Sequence, residues 1–162
     1  IMDQLVKQYM SKPKDKTSIS RFLNETGNAG YSETIAENKQ YLMNEDIDIR
    51  LRAWYSLRLF KSPTVDSLLN TGLFNDTTSA VQQRILTLIH MRPVSSTYEE
   101  GVLHVLKNSA SEQSQDLALI WLDKYLDMNL HELERIRTQI KNFGNSLVEQ
   151  KFNKRINANE VP

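Results

Sequence analysis

The chain has 162 residues, 40% hydrophobic and 25% charged, and its 20 Lys+Arg against 20 Asp+Glu give a formal net charge of zero. That length fits one ordinary domain or a short repeat array with enough apolar material for a packed core, and the charge balance disfavours a domain that coats nucleic acid or an anionic membrane. There is no cysteine, which excludes disulfide scaffolds, cysteine-ligated zinc, cysteine nucleophiles and thiol redox chemistry.

Helical periodicity runs through the chain, and no segment alternates apolar and polar residues long enough for a half-buried strand. A first helix pair is expected over 2–11 and 17–25, parted by the charged breaker Lys12-Pro13-Lys14-Asp15-Lys16, with Gly27 and Gly30 flanking a loose turn after it. The second pair spans 31–44 and 47–60, where Ile35, Tyr41, Leu42, Ile49, Ala53, Leu57 and Phe60 recur at helical spacing. Ser62-Pro63 closes that stretch, a third pair follows over 64–74 and 77–91, and Arg92-Pro93 closes it. The fourth pair is 96–108 with 112–126, broken at Asn108 to Ser111, and the fifth is 129–142 with 145–156. Residues 157–162 read as a frayed tail. The expected fold is all-α, about ten helices in five antiparallel hairpins, forming a single domain over 1–162. In it, 31–126 is the core, 1–30 an N-terminal cap and 127–156 a pair of C-terminal cap helices.

No run of about 18 uncharged apolar residues is present, so no transmembrane helix is expected, and the N-terminus lacks the apolar core of a signal peptide. The chain begins with Ile1, not Met. It reads as a complete small array, a processed product or a piece of a longer protein. The compartment stays open: cytoplasmic, or periplasmic or secreted if a leader was removed.

An internal repeat is the most informative feature. Asp46, Ile49, Arg50, Ala53 and Leu57 lie at the start of the second pair's second helix. Thr78, Val81, Gln82, Ile85 and Ile89 follow at the same spacing 32 positions on, and Ser111, Ser114, Gln115, Ala118 and Leu122 follow 33 further. With these slots filled, residues 31–126 resemble the HEAT repeat family. The resemblance implies a short right-handed α-solenoid of stacked helix hairpins whose second helices line a concave face. It also implies bonding between neighbouring repeats through the Asp and Arg slots; with Gln82 and Gln115 in the Arg slot, such a ladder is neutral. The physical logic agrees, because one hairpin cannot bury both its faces and stacking about three makes a continuous core.

Chemistry-bearing constellations are sparse. Of the three histidines, His104 shares a helix face with Glu100, which is half of a metal-site arrangement, while His90 and His131 stand alone. Nothing resembles a phosphate loop, a nucleophile elbow or a dinucleotide fingerprint. Glu45, Asp46 and Asp48 lack the glycine and spacing of a calcium loop and read as helix-start caps. No catalytic residue, metal or cofactor is therefore expected.

The apolar excess on the second helices points elsewhere. Ile85, Leu86, Leu88, Ile89 and Met91 cover most of one helix, and Leu117 to Leu122 nearly all of another. A helix apolar all round is either sandwiched in a core or offers a groove to a partner, and both remain open. Projecting the repeat periods aligns Arg52, Ser56 and Leu59 with Arg84, Leu88 and Met91, and with Leu117, Trp121 and Lys124. The partner-binding candidates are Arg52, Tyr55, Arg84, Leu88, Met91, Trp121 and Lys124.

The leading expectation is a non-catalytic protein–protein interaction or scaffold module that binds another protein or a peptide segment on its concave face. Nucleic-acid binding is the alternative. It requires Lys12, Lys16, Arg50, Arg52 and Arg58 to converge on one surface. An enzyme built on Glu100 and His104 is disfavoured. The zero charge hides a pattern: 1–61 carries 10 basic and 8 acidic residues, 62–134 carries 4 and 10, and 135–162 carries 6 and 2. An acidic middle between basic ends leaves room for pairing with a partner of opposite pattern, or with a second copy of the chain.

Overall fold

The computed structural model describes Gln4 and residues 15–159, so the expected helix 2–11 lies, apart from Gln4, outside the described residues. Among the described residues the chain is all-helical, with nine α-helices where the sequence leads to about ten. They fall into two compact units, 1–65 and 66–162.

The first unit contains α1 (Lys16–Ala29), α2 (Ile35–Lys39) and α3 (Ile47–Ser56). Asp15 caps α1, its carboxylate accepting from the Ser18 N–H at 2.8 Å. The helix runs through Gly27 and stops at Gly30, which takes the left-handed φ of 63° that a C-terminal cap needs. The expected loose turn around Gly27 is therefore helix. Gly27 is buried against α3, and a Cβ there would stand 2.7 Å from the Ser56 Cα. Asp46 caps α3 by accepting from Asp48 and Ile49, and α3 passes into a 3-10 turn over Leu57–Leu59.

The stretch 31–44 is not one helix. It is a 3-10 turn at Ser32–Thr34, then the five-residue α2, then turns. Its buried positions are Thr34, Asn38 and Leu42, helically spaced but mostly polar. Thr34 bonds back to the Tyr31 carbonyl at 2.8 Å, and Thr26 of α1 donates to Asn38 Oδ1 at 3.0 Å. Polar anchoring holds this segment in place of an apolar stripe.

The second unit holds α4 (Pro63–Asn75), whose first turn precedes the division, then α5 (Ser79–His90), α6 (Glu99–Asn108), α7 (Glu112–Met128), α8 (Leu133–Asn142) and α9 (Ser146–Asn159). α9 runs past the expected end at 156, and 3-10 turns precede α6 and α8. α7 is the centre, packed on α5, α6 and α9. Gln83 reaches Ser111 at 3.2 Å, His90 reaches the Leu117 carbonyl at 3.0 Å and Ser109 reaches Gln82 at 2.9 Å. The sequence separations are 28, 27 and 27. A constant separation means that α5 and α7 run parallel; antiparallel neighbours would show it falling along the helix. It also falls short of the 33-residue repeat by five or six residues, an axial stagger of about 8 Å.

An aromatic and ionic cluster closes the core of this unit. Trp121 meets Tyr98 edge-on at 6.3 Å and stacks on Tyr125 at 5.1 Å. Tyr98 donates to Asp66 at 2.6 Å, and the same carboxylate binds Arg92 at 2.8 Å. Burial and the Asp66 carboxylate push the Tyr98 hydroxyl well above its ordinary range. Burial, with Glu99 alongside, pushes Tyr125 up to about 12. Glu99 itself is bound by Arg135 at 2.7 Å.

Candidate functional site

Asp46, Thr78 and Ser111 stand at the N-caps of α3, α5 and α7. Asp46 and Ser111 cap with their own side chains. The Thr78 side chain makes no capping bond, and Asp76 accepts from the Thr78 N–H at 2.9 Å. Three, seven and eleven residues after each cap the chain is buried: Ile49, Ala53 and Leu57; Val81, Ile85 and Ile89; Ser114, Ala118 and Leu122. The tenth position is buried too: Ser56, Leu88 and Trp121 are each 1% exposed. At about 100° per residue these offsets fill one arc of about 100°. Offsets six, nine and thirteen fall on an adjacent, more exposed arc. It carries Arg52, Tyr55 and Leu59 on the α3 segment, Arg84, Thr87 and Met91 on the α5 segment, and Leu117, Ile120 and Lys124 on α7.

Of the seven candidates, Arg52, Tyr55, Met91 and Lys124 are exposed and Arg84 is half-buried. Leu88 and Trp121 are core, which corrects the expected surface by one residue along each helix. Thr87 and Ile120 stand where Leu88 and Trp121 were expected. The signal was present at Thr87-Leu88: where a polar and an apolar neighbour compete for the core, the apolar one is buried. At Ile120-Trp121 both are apolar, and only the ring contacts to Tyr98 and Tyr125 decide the matter.

Four apolar members of this arc are well exposed, Tyr55 at 43%, Leu59 at 50%, Met91 at 63% and Ile120 at 37%, and Leu117 is half-buried. In the second unit His90 anchors the surface at the α5–α7 crossing through its bond to Leu117. Burial, and to a smaller extent the nearby Lys124 charge, keep its imidazole below the ordinary value.

The Arg slot behaves differently in the three copies. Arg50 donates to the Asn44 and Glu45 carbonyls at 2.9 and 3.2 Å, bracing the loop before its own helix. Gln115 donates to the Ser109 carbonyl at 2.9 Å, and the Ser109 hydroxyl donates to Gln82. The two glutamines are thus joined through Ser109 by uncharged bonds.

Of the cations required to converge for nucleic-acid binding, Lys12 lies outside the described residues. Lys16 is bridged to Asp46 and Asp48 at 2.8 and 2.6 Å. His104 packs on Phe74 at 4.6 Å between ring centres and accepts from Asn108 at 3.2 Å; no bond joins it to Glu100. Among the described residues no group of three or more His, Asp or Glu is placed to hold a metal ion, and no helix is long and apolar enough to cross a membrane.

No protein-family model matches the chain, and no curated protein and no solved structure is significantly similar to it.

Proposed function

We propose that the chain is a non-catalytic interaction module, a short HEAT-like helical array that binds a partner protein segment on the exposed faces of its second helices. One observation carries this reading. The same offsets from three successive caps turn outward, and they bear large apolar side chains, Tyr55, Leu59, Met91 and Ile120, among cations. An exposed apolar residue standing alone needs no explanation, whereas a register-repeated set fits a docking surface. Each unit carries its own face: Tyr55 and Leu59 on the first, Met91 and Ile120 on the second. The neutral link through Gln82, Ser109 and Gln115 supports the array, because it ties neighbouring second helices at the slots that carry such bonds in the family.

A photo-crosslinking residue placed at Thr87 tests the reading, with one at the exposed Thr138 on α8 as control. A protein captured only from position 87 is purified and titrated against the Met91→Glu, Ile120→Glu double variant. The expected result is at least about tenfold weaker binding with an unchanged melting temperature. Equal affinity for wild type and variant rejects this surface.

A further inference from the structure

We infer that the exposed face around α3 is built to dock an acidic peptide segment carrying an apolar anchor. The inference deepens the proposed function and rests on it, since it names the chemistry of the partner at one of the same faces.

Three cations, Arg52, Arg58 and Lys61, lie along this stretch of the chain. Arg58 lies over the Tyr55 ring, its guanidinium carbon 4.3 Å from the centroid. It donates to the Tyr55 carbonyl at 3.1 Å and to the Asn28 side-chain oxygen. All these partners are neutral, so the guanidinium is fixed in place and its charge is uncompensated among the described residues. Arg52 stands one turn before Tyr55 and Lys61 two residues after Leu59, both exposed. Among the described residues, no carboxylate lies at ion-pair distance from Arg52, Arg58 or Lys61. Elsewhere in the same unit cations do meet carboxylates: Lys16 meets Asp46 and Asp48, and Arg21 meets Glu25 at 2.8 Å. Asp48, the acid on the outward arc of α3, shares that one lysine with Asp46.

Apolar surface separates the cations. Tyr55 and Leu59 lie between Arg52 and Lys61 and are about half exposed. Leu59 is seated against Gly30, where an added Cβ would stand 3.4 Å from the Leu59 Cβ, and the exposed Tyr31 follows directly. Holding Asn28 against α3 accounts for Arg58 structurally, but among the described residues no hydrogen bond or ion pair employs Arg52 or Lys61. Charge complementarity therefore asks for carboxylates, and the interleaved Tyr55 and Leu59 ask for an apolar side chain between them. A polynucleotide fits less well: three separated cations neutralise few phosphates, and Leu59 offers no stacking plane.

Selection of a random peptide library of about 12 residues on the full chain tests this, with binding of selected peptides read by fluorescence polarisation. The expected peptides are rich in Asp and Glu around one aromatic or aliphatic residue. Their affinity is expected to fall about tenfold in Arg52→Gln, Lys61→Gln, and to weaken as salt rises from about 0.05 to 0.5 M. Arg58→Lys, which keeps the charge and loses the fork, is expected to bind at an intermediate level. Selected peptides with no acidic bias whose binding is lost in Tyr55→Ser, Leu59→Ser would overturn the acidic specificity and leave the docking face standing. Failure to enrich any peptide overturns both. The inference is also overturned by a single-stranded oligonucleotide that outcompetes every peptide, or by a dimer of the wild type that the Arg52→Gln, Lys61→Gln variant dissolves.

Discussion

Gly27 shows how a single side chain is excluded by a neighbour far along the sequence. Alanine suits a helix interior better than glycine by about 1 kcal/mol. Yet the new Cβ would meet backbone, the Ser56 Cα, at 2.7 Å, and overpacking costs about 1–3 kcal/mol. Gly27→Ala is therefore expected to destabilise the first unit by about 1 kcal/mol, read by urea titration of Trp54 fluorescence in a Trp121→Phe background. His90 yields a signed pH effect. Its folded pKa is below the ordinary 6.5, so the unfolded chain binds the proton more tightly. The stabilising contribution is complete above about 6.5, is lost as pH falls from there, and stops changing below the folded pKa. His104 is held low in the same direction by burial, so a variant is needed to separate the two. Melting curves between about pH 7.5 and pH 5 are expected to fall less in His90→Gln than in the wild type.

Among the elements, α9 is held by three buried apolar residues, Val148, Phe152 and Ile156. Phe152→Ala is expected to cost about 3–5 kcal/mol, enough to detach this helix from α7, and hydrogen exchange of the α9 amides reads it directly. α5 and α7 are tied by a polar route as well as an apolar one. Gln115→Ala removes the donor to the Ser109 carbonyl and is expected to cost about 1–2 kcal/mol by chemical denaturation. The helix over 64–74 and the caps at Asp46 and Ser111 were legible because caps and periodicity are local signals. The segment 31–44 was not, because Thr34 and Asn38 are buried through hydrogen bonds, and a hydrophobic pattern is blind to buried polar anchors.

At the scale of the whole molecule, the acidic middle and basic end found in the sequence largely answer each other inside the second unit. Lys151 binds Glu112 and Asp116 at 2.6 and 2.9 Å, Arg155 binds Asp123 at 2.8 Å, and Arg135 binds Glu99 at 2.7 Å. These pairings take up charge that the sequence alone left available to a partner or a second copy. Lys151→Glu sets a third carboxylate against Glu112 and Asp116. It is expected to lower the melting temperature, with part of the loss recovered by Glu112→Lys in a double-mutant cycle of thermal stability. The sequence by itself determined the helical class, the cap at Asp46 and the helical spacing of the apolar slots, because these depend on neighbours within a turn or two. Only the tertiary structure decided that Leu88 and Trp121 are core, that Arg52 and Lys61 meet no carboxylate among the described residues, and which acids the C-terminal cations meet. Those outcomes depend on residues some thirty positions away, and helical periodicity carries no record of which neighbour covers the second arc of a helix.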